Sequence, residues 1–94
     1  MSSEPQIVLT DTTKSKCFRM LQDYSIHNIV KRAIDGRQTI YRKGPEYHVL
    51  SGDYVVVVVH GDDGSLVVVT QMHQHADYRS DTSYEKIESI PLRV

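Results

Sequence analysis

The sequence predicts an α+β fold: an antiparallel sheet of four to five strands with two N-terminal helices packed on one face, in the order β-α-α-β-β-β-β. Three observations carry this expectation. The stretch Tyr54 to Gln71, YVVVVVHGDDGSLVVVTQ, joins two valine-rich runs across an Asp/Gly turn. Valine is stiff at χ1 and packs well on a pleated surface, so both runs read as strands of one hairpin. Before Gly36 apolar residues recur at helical spacing, and after it the period shortens to that of strands.

Taken in order, Gln6 to Thr10 (QIVLT) follows Pro5 and reads as a short first strand. Asp11, Thr12 and Thr13 offer N-cap oxygens for a helix in which Cys17, Met20, Leu21 and Tyr24 form one apolar stripe. Ser25 reads as a second N-cap. Ile26, Ile29, Val30 and Ala33 repeat the stripe until Gly36 stops the helix. Gln38 to Arg42 is strand-like, Lys43-Gly44-Pro45 turns the chain, and Glu46 to Leu50 makes the next strand before Ser51-Gly52-Asp53.

In the hairpin that follows, a two-residue loop at Asp63-Gly64 would oppose Val59 to Val68. A four-residue loop of Gly61 to Gly64 would oppose Val59 to Leu66. The valine run shows no polar alternation, so both sheet faces need cover, by helices on one side and by a tail or another chain on the other. Thr82-Ser83-Tyr84-Glu85 matches a capping box, and Tyr84, Ile87 and Ile90 then share a helical stripe ended by Pro91. Residues 76–94 are therefore expected as a short C-terminal helix or lid, with a disordered acidic tail as the competing reading. The whole of 1–94 is expected to be one domain.

At 94 residues the chain is near the size where one core is adequate but thin. A single cysteine excludes an internal disulfide and a cysteine-based metal cage, and suits a reducing compartment. The start MSSEPQ has neither a basic segment nor an apolar core, and no apolar run approaches the roughly 20 residues of a membrane helix. A soluble, cytoplasmic protein is expected. The net charge of −1 hides an asymmetry: residues 14–43 carry +6, residues 1–13 carry −2 and residues 44–94 carry −5. The basic block comprises Lys14, Lys16, Arg19, Lys31, Arg32, Arg37, Arg42 and Lys43. It reads either as solvated surface or as a phosphate-neutralising face.

Residues with chemistry are few. His73, His75 and Asp77 alternate at the end of the last valine-rich strand and would point to one side of it. That set suits a divalent metal or acid–base work, although its spacing matches no metal signature and such clusters are commonly exposed polar residues. His48 and His60 are expected at solvent edges of strands, Cys17 as a small core hydrophobe, and Tyr24, Tyr41, Tyr47 and Tyr54 as packing residues. The chain has no phosphate loop, glycine-rich fingerprint or serine elbow, which argues against a nucleotide-driven enzyme.

From Cys17 to Gln71 the chain resembles small domains related to the RelE- and BrnT-type toxins, including a widespread prokaryotic family of unknown function. The resemblance rests on CFRML, SIHNIVKRAIDG, SGDYVVVVV and SLVVVTQ, and the element order fits. It implies a metal-independent ribonuclease that needs no cofactor, with Arg19 as phosphate clamp and Thr70 at the end of the sheet. Related domains often begin the first helix with histidine where Cys17 stands here. That departure removes one acid–base group, for which His73 and His75 are candidate substitutes. The expected function is thus a toxin-like RNA-binding protein, with endoribonuclease activity carried by His73, His75 and Thr70. The alternative is a non-catalytic module that binds an antitoxin-like partner, or a second copy of itself, through its sheet.

Overall fold

A computed structural model describes residues 5–10, 22–73, 78 and 80–91. The protein is an α+β sheet-and-helix fold in the order β1 (Ile7–Leu9), α1 (Asp23–Ile34), β2 (Thr39–Lys43), β3 (Glu46–Ser51), β4 (Tyr54–His60), β5 (Leu66–His73) and β6 (Glu85–Ile87). The six strands form one sheet ordered β1-β5-β4-β3-β2-β6.

The class matches expectation, but the sheet is mixed and larger. β1 runs parallel to β5, with Ile7, Val8 and Leu9 opposite Leu66, Val67 and Val68. The Leu66 N–H donates to Gln6 O at 2.8 Å and the Thr10 N–H to Val68 O at 3.1 Å, fixing both ends of β1. A three-residue strand carries no pattern that gives its direction. Among the described residues there is one helix rather than two; the expected first helix falls on residues 11–21, outside them, except for its end at Tyr24.

The helix begins earlier than expected. It starts at Asp23, and its N-cap position is Gln22, which makes no side-chain cap bond, so Ser25 is not the cap. Tyr24 belongs to this helix and is 70% exposed, not part of a buried stripe. Ile26, Ile29, Val30 and Ala33 do form the buried face. They pack on Ile40, Val49, Val56, Val58, Leu66 and Val68, with Leu9 and Ile90 closing the ends. Each such aliphatic side chain contributes about 1.5–3 kcal/mol on leaving water, so this inner layer holds the fold together.

The valine hairpin takes neither expected register. Val59 opposes Val67 and His60 opposes Leu66, leaving a five-residue loop, and a bulge shifts the ladder between Val57 and Val58. Asp63 Oδ1 accepts the Ser65 N–H at 3.1 Å, and the Gly61 N–H donates to Ser65 O at 2.8 Å. Hydrogen bonding from Ser65 holds the Asp63 carboxyl below its usual range. A Cβ at Gly61 would sit 2.5 Å from Ser65 Oγ, so a side chain there would push that hydroxyl aside.

The expected C-terminal helix is a strand. Ile87, Lys86 and Glu85 pair antiparallel with Ile40, Tyr41 and Arg42. The capping-box residues serve a turn: Asp81 Oδ1 accepts the Ser83 N–H at 2.9 Å and the Ser83 hydroxyl at 2.6 Å. Ile90 then folds into the core, its N–H donating to Ala33 O at 3.2 Å. None of the described helices is long and apolar enough to cross a membrane.

Candidate functional site

Strand alternation divides the hairpin valines between two faces. Val56 and Val58 face the helix, whereas Val55, Val57 and Val59 face outward. The pairings place three rows across this outer face. One runs Val8, Val67, Val59, Glu46, Lys43. The next runs Thr70, Val57, His48, Tyr41, and the third Met72, Val55, Leu50, Thr39.

One half of the outer face is closed by rings. Tyr78 stacks on Tyr41, with centroids 5.1 Å apart and planes 22° from parallel. Tyr84 meets Tyr78 edge-on at 4.6 Å and His48 at 5.2 Å. Lys43 Nζ lies 5.1 Å from the Tyr84 ring centroid, a cation–π contact. Tyr41, Tyr78, Val55 and Val57 form a second, smaller buried cluster there, with Leu50, Val69 and Tyr84 packed against it. The expectation that the outer face needs cover is met on this half.

At the centre lies a hydrogen-bonded line. His48, 4% exposed, places Nε2 3.0 Å from Glu46 Oε1 and Nδ1 3.2 Å from the Tyr78 hydroxyl. A carboxylate only accepts, so Nε2 carries the imidazole proton and Nδ1 accepts from the phenol. Burial, and secondarily Tyr84, pushes the Tyr78 phenol up to about 12, so it stays a donor. His48 is therefore buried and bonded at both nitrogens, not at a solvent edge. His60 is half-buried, with Nε2 3.3 Å from the Tyr47 hydroxyl. Glu46 and His48 alternate on one strand face, a spacing that could have pointed to their pairing although His48 was expected at a solvent edge. Nothing in the sequence pointed to Tyr78, thirty residues on.

The other half of the face, toward β1, is aliphatic and more open. Val8 and Met72 are each 36% exposed, and Val59, Val67 and Val69 are partly exposed beside them.

Of the residues expected to do chemistry, the described ones are not gathered. Thr70 opposes Val57 on the outer face and donates to Gln71 O at 3.4 Å. His73 opposes Tyr54 on the helix face, their rings 5.1 Å apart. Thr70 and His73 thus project from opposite sides of the sheet, and His75 lies outside the described residues. Of the basic set, Lys14, Lys16 and Arg19 also lie outside them. Lys31 and Arg32 occupy the last helical turn, where cations complement the helix dipole, and Arg32 Nε donates to Gln38 Oε1 at 3.1 Å. Arg37 precedes β2, whereas Arg42 and Lys43 end it, five and six residues on, or roughly 16–20 Å along an extended chain at about 3.3 Å per residue. Arg42 and Lys43 project to opposite faces. No described group of three or more His, Cys, Asp or Glu residues is placed to hold a metal ion.

An open groove of about 920 Å³ runs between the end of α1 and β6. Arg37 and Lys86 line it together with Asp35 and Glu88, so its charges balance. No family model, curated protein or solved structure matches this chain.

Proposed function

We propose that this chain is a protein-interaction module whose outer sheet face receives a segment of a partner protein on its aliphatic half. One observation carries the reading. Val8, Val67 and Val59 form a continuous row across β1, β5 and β4 that stays partly open while rings seal the other half of the same face. Exposed apolar side chains rimmed by polar ones mark a place where another surface docks. The partly open residues are few and lie in one row, which suits an inserted apolar segment.

The test is reconstitution of a captured partner from purified components, with wild-type protein and with Val8→Lys. At least tenfold weaker binding by the variant is expected. Equal binding by the two proteins would overturn the reading.

A second reading, toxin-like RNA binding, is favoured by Lys31, Arg32 and Arg37, which lie exposed and close in sequence at one end of the fold. It predicts affinity for short RNA that falls steeply with salt, so a titration at two salt concentrations separates the two readings. Cleavage is the weaker part of this second reading, because Thr70 and His73 project from opposite faces.

A further inference from the structure

We propose that β1 pairs with β1 of a second copy of this chain, antiparallel about a two-fold axis at Val8, so that two sheets join edge to edge. The inference goes beyond the docking reading and rests on the backbone of β1, not on the open strip.

The two edges of the sheet differ in charge. β6 ends it on one side, with Glu85 and Lys86 exposed and Glu88 exposed beside them. Charged side chains on an edge strand, lysine above all, keep further strands from adding to it. β1 ends the other side, and from Gln6 to Thr10 (QIVLT) it carries no charge. An edge of that kind is a template for another strand. It is also a fixed one, because Leu9 is buried in the main core.

The backbone of β1 decides which strand fits. In a parallel ladder, alternate residues turn both main-chain groups toward the neighbouring strand. Gln6 O accepts the Leu66 N–H and the Thr10 N–H donates to Val68 O, so Gln6, Val8 and Thr10 face β5. Ile7 and Leu9 therefore turn their N–H and C=O groups outward, where no strand lies among the described residues. In an antiparallel pair, directly opposed residues at such positions exchange both bonds. With Val8 set opposite Val8, Ile7 of each copy opposes Leu9 of the other, and each of these pairs closes. The edge is thus its own complement, as a two-fold interface requires.

Side chains agree with this register. Ile7 and Leu9 fall side by side on the helix face, both apolar. The two Val8 side chains meet on the outer face, so the row Val59, Val67, Val8 continues into the second copy. A net charge of −1 per chain opposes the contact little. The ladder is short, so the dimer is a weak one that forms and parts with concentration.

The experiment measures mass by sedimentation of the full chain over about a hundredfold range of concentration, for wild type and Ile7→Pro. Proline at that position removes an N–H that points away from β5 and leaves the β1–β5 bonds in place. Wild type is expected to rise from 10.8 kDa toward twice that mass, with dimerisation of Ile7→Pro at least about tenfold weaker. Wild type that stays at 10.8 kDa throughout, or a variant that dimerises equally, overturns the proposal. Should Ile7→Pro not fold, amide exchange on wild type decides. The Ile7 and Leu9 amides are expected to exchange about tenfold more slowly at the top of the range than at the bottom, and the Val8 amide equally at both. Exchange at Ile7 and Leu9 that does not change with concentration overturns the proposal. Capture of a partner segment is read separately through Val8→Lys, so either reading can fail while the other stands.

Discussion

The two faces of this sheet are closed by different chemistry. Against the helix, Ile26, Val30, Ile40, Val49, Val56, Val58 and Val68 are fully buried, and Tyr47 is the one aromatic ring in an otherwise aliphatic layer. Outside, the same valine run supplies the floor, but the cover is two tyrosines held through an imidazole and a carboxylate, and it spans half the width. The inner layer is held by close packing, with the Tyr47 hydroxyl 3.3 Å from His60 Nε2 as a polar addition. The inner face thus closes on one continuous core, whereas the outer face is sealed over half its width by a separate, smaller cluster.

The largest effect should come from the inner face. Ile26→Ala removes a fully buried side chain from the helix–sheet layer and is expected to cost about 2–5 kcal/mol, read by denaturant unfolding. A loss under 1 kcal/mol would mean that the helix is not what closes the core.

The outer face should reveal itself through alkaline pH. The Tyr78 phenol ionises near 10 in the unfolded chain and is pushed up to about 12 in the fold. Its contribution to stability is thus complete below pH 10 and is lost as pH rises toward 12. Thermal melts across that range should fall more steeply for wild type than for Tyr78→Phe, which has no phenol to ionise at this site. Parallel curves would place the loss elsewhere.

The smallest effect belongs to the open strip. Met72→Lys, at a side chain 36% exposed, should change unfolding free energy by no more than about 0.5 kcal/mol. A large destabilisation would show that the strip is part of the core, and the contrast between faces would blur.

What could be read from the chain beforehand follows the same division. The helical stripe from Ile26 to Ala33 and the four strands from Thr39 to His73 were legible, because periodicity and turn residues are local signals. The parallel placement of β1 was not, since Ile7 meets Leu66 across most of the chain. The hairpin register was missed because a bulge beside Val57 and a five-residue loop are settled by packing on both faces. Thr82-Ser83-Tyr84-Glu85 suggested a helix because a capping box and an Asp81-centred turn use the same small polar residues; the free edge of β2 decided for a strand. As for the site, strand alternation puts Glu46 and His48 on one face, but His48 was expected at a solvent edge and the pair was missed. The Tyr78 half required the folded chain, and neither Thr70 nor His73 belongs to it.

The parallel pairing of β1 with β5 also orders events during synthesis. The Ile-Val-Leu of β1 leaves the ribosome long before Leu66, Val67 and Val68 exist to receive it, so a growing chain carries an unsatisfied greasy strand until the second valine run emerges. Translation stalled before residue 66 would leave that strand bare, a natural hold for a nascent-chain chaperone.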